Sequence, residues 1–176
     1  MPVPNKSFDC RVEEIDYLIR YTSRIVRRRG RDILAEFDIT PPQFSALVTI
    51  IHHENLTMGC LCDHLYLASS TVTDLINRME QGDLVERIRD ERDRRVMRLR
   101  AKPRGHALLE QVMEARLRYL SEILSSLCED KQEEIRRSLK CLYERMHDRQ
   151  TQRGECVTDT PPPPSCEEEK GEDSAE

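Results

Sequence analysis

Val12, Ile15, Ile19 and Val26, with Thr22 in the same series, recur at spacings of three and four. Such a stripe covers one side of a helix and suits packing against other helices. Ile33, Leu34 and Phe37 carry the apolar character past Gly30, so the pattern predicts one long helix over residues 11–37. Residues 38–40 break it, and a marked helix start follows. Thr40 is placed as N-cap, Pro41 as first helical residue and Gln43 as the far arm of a capping box, with Ile39 and Phe44 as a hydrophobic staple. That helix should run to about His53. Two short helices come next. The first spans Met58 to Leu65, with Leu61 and Leu65 inward; Leu67-Ala68-Ser69 makes the turn. Ser69 or Ser70 caps the second, which ends near Gln81 with Gly82 as its stop. On it Val72, Leu75, Ile76 and Met79 form a stripe for burial. Ser70, Thr71, Thr73, Asp74, Asn77 and Arg78 form the opposite face, and each can donate or accept a hydrogen bond.

The period then changes. In RIRDERDRRVMRLR, residues 87–100, Ile88, Met97 and Leu99 alternate with Arg87, Arg89, Arg98 and Arg100. A period of two belongs to strands, and Asp90-Glu91-Arg92-Asp93-Arg94 between the arms is polar enough for an exposed turn. This predicts a two-stranded β-ribbon with an arginine-rich tip. A long helix is expected from near Pro103, with Leu109, Val112, Met113, Leu120, Ile123 and Leu127 apolar. A last helix follows from near Cys128, carrying Ile135, Leu139, Leu142 and Met146. No other element remains to cover the stripes of the first and last helices, so an intertwined dimer is expected. The fold class is mainly α with a small β-ribbon.

Composition refines this picture at three points. The 176 residues allow one domain, or one domain and a tail, and no stretch approaches the length of a membrane span. Without a charged-then-apolar start, export is not expected and a cytoplasmic location is. Seven cysteines, of which only Cys60 and Cys62 lie close together, read as reduced thiols and not as a disulfide framework. The net charge of −5 conceals an uneven distribution. Residues 151–176 carry eight acids against two bases and four consecutive prolines, which predicts a disordered tail. Residues 1–150 are left nearly neutral and form the expected folded domain. Within them, residues 76–106 hold ten bases and six acids, a basic zone.

Helix, turn, helix, then ribbon is the order of a winged helix-turn-helix domain, here with a helical dimerisation region over about 11–37 and 103–149. Its second helix presents polar side chains to the major groove, and the ribbon reaches the backbone or the minor groove. An arginine-rich tip suits phosphates and the negative potential of a narrow minor groove. At these residues the sequence resembles the MarR family of bacterial transcription regulators. The matching positions are Leu56-Thr57, Leu61-Cys62-x-x-Leu65, and Ser70-Thr71-Val72-Thr73-x-Leu75-Ile76-x-Arg78-Met79-Glu80. Gly82-x-Leu84-Val85-Glu86-Arg87, Asp93-Arg94-Arg95 and Gly105 complete the pattern. The resemblance covers about residues 10–150. It implies a homodimer built from the first and last two helices, bound to a pseudo-palindromic operator in double-stranded DNA. It also implies repression, released by a small ligand or by oxidation. Two positions depart from the family: Lys102 replaces a common helix-capping threonine, and Cys60 and Cys62 occupy a helix that rarely carries thiols.

The candidate DNA-binding residues are Ser70, Thr71, Thr73, Asn77, Arg78, Arg92, Arg94 and Arg95. A solvated ribbon with internal ion pairs is the competing reading for the three wing arginines, and Arg95 is the one best placed to pair with Asp93. Asp74 could accept from a cytosine amino group, but the preferred reading is structural: a first-turn carboxylate paired with Arg78. Cys60, Cys62 and His64 cannot all face one ion from a short helix, so no metal or other cofactor is expected. Cys128, at the N-cap of the last helix, and Cys10 are the redox candidates. The helix dipole favours the Cys128 thiolate and Glu129 and Asp130 oppose it. In the peroxide-sensing branch of the family the reactive cysteine lies early in the first helix, where Tyr17 stands here. Arg20, Arg24, Arg27 and Arg31 line one side of the first helix; a solvated face, phosphate contacts and an anionic-ligand pocket all remain open. No arrangement of catalytic residues stands out, so an enzyme is not expected. The alternative to a regulator is a winged-helix protein-interaction module that does not read DNA.

Overall fold

Asp9 opens the first helix, its carboxylate accepting the Arg11 N–H at 2.9 Å, and α1 then runs Cys10–Glu36. The computed structural model describes residues 8–53, 56–90 and 96–152. Helices α2 (Pro41–His52), α3 (Met58–Leu65) and α4 (Ser69–Gln81) follow. Strands β1 (Val85–Arg89) and β2 (Met97–Ala101) come next, then α5 (Pro103–Leu124) and α6 (Glu129–Gln152). The chain divides into two units, the first ending at Ser126 and the second beginning at Leu127.

Local chemistry sets most helix boundaries. The Gln43 side-chain oxygen takes the Thr40 N–H at 2.9 Å and the Thr40 hydroxyl at 2.8 Å, fixing the start of α2. Three helices then end on one device. Asp38, Tyr66 and Asp83 adopt positive φ of 53°, 52° and 60°. In each case the next residue donates its N–H to a carbonyl five residues back: Ile39 to Leu34, Leu67 to Cys62, Leu84 to Met79. That bond satisfies a terminal carbonyl and returns an apolar residue to the core. Gly82 therefore stops α4 differently from the expectation. It is the C-cap at φ −80°, and the left-handed residue is Asp83. The start of α4 also differs. Ala68, not a serine, is the N-cap, because its extended backbone lets its carbonyl accept the Val72 N–H at 3.0 Å. Ser69 is thereby already helical.

One core fills the first unit. Ile33 and Leu34 of α1, Phe44, Ala46, Leu47 and Ile50 of α2, Leu61 of α3 and Val72, Ile76 and Met79 of α4 meet there. Leu84, Val85, Leu99 and Val112 close it from the ribbon and α5. Leu75 is only half-buried, at the edge of the predicted stripe. The ribbon is antiparallel, with Val85 opposite Ala101 and Arg89 opposite Met97. A third short piece lies beside it: Leu99 donates its N–H to Leu56 at 2.8 Å, and Thr57 bridges Arg98. Lys102 N–H to Leu84 carbonyl, 2.9 Å, closes the ribbon's base, and Pro103 begins α5 immediately after.

In the second unit, the Cys128 carbonyl accepts the N–H groups of Lys131 and Gln132 at 3.0 and 3.1 Å, which makes it the entry to α6. Leu127 lies beyond α5, in this unit. Ile135, Leu139, Leu142 and Met146 are exposed in the chain taken alone. Glu133 bonds both Arg136 and Arg137, and they hold its carboxyl down at about 2. The helix continues through Gln152, two residues into the segment read as tail; residues 153–176 lie outside the described residues.

Candidate nucleic-acid interface

Helix α4 is anchored by Val72, Ile76 and Met79, none of which is exposed at all. That anchoring turns Ser70, Thr71, Thr73, Asp74, Asn77 and Arg78 outward together, and all six are exposed. The structure thus places the five candidate residues of this helix on one polar surface. Their capacities differ. The Thr73 hydroxyl donates to the Ser69 carbonyl at 2.8 Å, so toward a partner Thr73 offers lone pairs and a methyl group. Asn77 keeps an amide that can donate and accept at once.

The preferred reading of Asp74 is corrected. Among the described residues it makes no ion pair with Arg78. Arg78 instead lines a cavity of about 420 Å³ with Gln43 and Arg104, walled by Phe37, Ile39 and Leu108. A one-turn spacing permits such a pair; it does not compel it when the arginine has other surroundings.

On the ribbon, acids and arginines are matched across elements. Glu80 of α4 accepts the Arg87 N–H at 3.0 Å and also bonds its guanidinium, so the end of α4 grips the first strand. Asp90 pairs with Arg98. Glu86 pairs with Arg100 at 2.7 Å. Asp83 pairs with Lys102 and raises that ammonium above its ordinary value, chiefly through the hydrogen bond. Arg89 is exposed and has no such partner among the described residues. Arg92, Arg94 and Arg95, and the Arg95–Asp93 pairing considered for them, lie outside the described residues.

Cys10, Cys60 and Cys128 are exposed thiols; Thr57 donates its hydroxyl to the Cys60 sulfur at 3.1 Å. Among the described residues no group of three or more His, Cys, Asp and Glu is placed to hold a metal ion. On α1, Arg20 pairs with Asp16 at 2.5 Å, and Arg29 with Glu36 at 3.1 Å beneath the Tyr119 ring. Sequence reasoning missed Arg116. Its guanidinium lies 4.6 Å from the centre of the Phe44 ring, and burial pushes its pKa down. Only the packing of α5 on α2 brings those two together.

A short helix, a turn and a core-anchored helix with a polar outer face, followed by an antiparallel ribbon, define a winged helix-turn-helix domain of the DNA-binding class. Residues 39–97 match the MarR family. The uncharacterized HTH-type transcriptional regulator YsmB of Bacillus subtilis (strain 168) is 37% identical over 135 residues, 77% of this chain and 92% of that protein. The organic hydroperoxide resistance transcriptional regulator of the same organism is 33% identical over 101 residues, 57% of this chain and 69% of that protein. A MarR family protein from Bacillus stearothermophilus has the same fold, with a TM-score of 0.69 and 39% identity over 80% of this chain and 99% of that one. The chain belongs to the MarR family of winged helix-turn-helix transcriptional regulators, DNA-binding proteins and not enzymes. Among the described residues no helix is long and apolar enough to cross a membrane.

Proposed function

We propose that the chain is a cytoplasmic homodimeric repressor that binds a pseudo-palindromic operator and is released by a small ligand or an oxidant. The observation that carries the DNA-reading part is the shared outward face of α4, held at a set distance from the ribbon by Glu80 and Arg87. In this reading Ser70, Thr71, Thr73, Asn77 and Arg78 address the major groove. Arg92, Arg94 and Arg95 address phosphates and the minor groove.

Dimerisation is supported by apolar side chains that one chain leaves open. Val12, Ile15, Ile19 and Val26 on α1, and Leu117, Leu120 and Ile123 on α5, are each at least 39% exposed. So broad an apolar surface is unusual for a monomer. Release by an anionic ligand is supported by Arg116, half-buried against Phe44 with no acid to neutralise it among the described residues. Light scattering of the purified protein and duplex retention at rising salt test the reading. A mass of two chains and a steep loss of DNA with ionic strength are expected. A monomer would refute the dimer, and failure to retain any duplex would leave the protein-interaction module.

A further inference from the structure

We propose that Arg89 is a DNA-phosphate contact at the stem of the ribbon, beside the recognition helix. The proposal rests on the DNA-binding reading above and adds to it a residue outside the recognition surface already described.

Acids and arginines are matched along the ribbon. Of the four arginines described on the ribbon, Arg87, Arg98 and Arg100 each face an acid, from Glu80, Asp90 and Glu86 respectively. A pairing of that kind holds a ribbon in shape and removes charge from its surface. Arg89 is the exception among the described residues: its side chain is exposed and meets neither acid nor hydrogen-bond acceptor. An arginine whose role is to brace the ribbon would be matched like its neighbours.

Successive strand side chains alternate between faces, so Val85, Arg87 and Arg89 share one face of β1. Val85 on that face is buried, and the Arg87 guanidinium reaches Glu80 on α4. Arg89 therefore looks to the side of the recognition helix, about 7 Å farther toward the tip than Arg87. With the outward face of α4 in a major groove, the sugar-phosphate wall of that groove borders this position. A planar guanidinium suits two oxygens of one phosphate, and a phosphate carries no base identity.

The test uses the full-length protein and two DNA probes: a mixed-sequence duplex and a duplex that the wild type selects from a random pool. Dissociation constants are measured across a salt series for wild type, Arg89→Ala, Arg89→Lys and Asn77→Ala. Arg89→Ala should weaken both duplexes by the same factor and flatten the log–log salt dependence by about 0.9 unit. Its deficit relative to wild type should then shrink by about 3.5-fold between 50 and 200 mM salt. Arg89→Lys, which keeps the charge, should keep the slope. Thermal unfolding of Arg89→Ala should match wild type, since no bracing partner among the described residues is lost. An unchanged slope for Arg89→Ala, while wild type stays salt-dependent and Asn77→Ala still loses its preference for the selected duplex, overturns this proposal and leaves the DNA reading intact. Weakening confined to the selected duplex also overturns it, since that marks a base reader. Wild type that binds neither duplex sinks both readings together.

Discussion

Gly105 sits in the first turn of α5, where the ribbon's base meets the core, and replacing it with alanine tests how closely those parts approach. A Cβ there would lie 2.3 Å from the Leu84 carbonyl oxygen and 3.1 Å from Leu47 Cδ1. The first contact is to backbone, so a rotamer change cannot relieve it. Leu84 O also accepts the Lys102 N–H at 2.9 Å, the bond that closes the ribbon, so any retreat strains that bond as well. Overpacking costs about 1–3 kcal/mol, and a weakened hydrogen bond about 1 kcal/mol. Against this, alanine is favoured over glycine in a helix by about 1 kcal/mol. The net expectation is a loss of about 2 kcal/mol, or about 4–8 °C in Tm for a chain of this size. Gly30 is the internal control. Its added Cβ meets only an Arg116 nitrogen at 4.0 Å, the far end of a flexible side chain. Gly30→Ala should therefore stabilise by about 0.5–1 kcal/mol. Thermal and urea unfolding at one fixed protein concentration compare the two. If Gly105→Ala proves neutral or stabilising, the close approach of α5 to Leu84 is wrong and so is the account of the ribbon's base.

Asn77→Ala should relax sequence preference at one position of each half-site at a cost of about 1–3 kcal/mol, read from binding to a panel of single-base variants. Equal weakening on every duplex would instead assign Asn77 to the backbone. A chain ending at Gln152 should keep its oligomeric mass and bind duplex at least as tightly as full length at low salt, because the removed segment carries more acids than bases. Loss of mass on that truncation would show that residues 153–176 join the folded part. Peroxide should leave duplex binding largely unchanged, since Cys10 begins α1 and Cys128 enters α6, so neither thiol is on α4 or on the ribbon. Reversible release by peroxide that is abolished in Cys128→Ser or Cys10→Ser would reverse that expectation.

Much of the architecture is readable without coordinates because helix and strand periods are short-range. The cap at Thr40-Pro41-Pro42-Gln43, the stripe of Val72, Ile76 and Met79, and the change to alternation at Arg87 each reside within a few neighbouring residues. The outward group of Ser70, Thr71, Thr73, Asn77 and Arg78 followed from the same period, since burial of one helix face exposes the other. The helix ends were less legible. Three of them turn at non-glycine residues, Asp38, Tyr66 and Asp83, and what holds each is a backbone bond that returns the following apolar residue to the core. Composition carries no sign of that bond.

Sequence alone determined that this chain would have a core-anchored polar helix followed by a basic ribbon, because apolar spacing dictates which faces are buried. Tertiary structure alone decided which charges remain available. Arg87, Arg89, Arg98 and Arg100 are equivalent in an alternating pattern. Yet Glu80 neutralises one across seven residues and Glu86 another across fourteen, and Arg89 meets no acid among the described residues. The same holds for Arg116 over Phe44 and for Leu56 beside β2. A period reports the surroundings of a residue averaged over its own helix or strand. The partner of a particular guanidinium depends on where a second element packs, and that position is set by the shared core, to which residues from the whole first unit contribute.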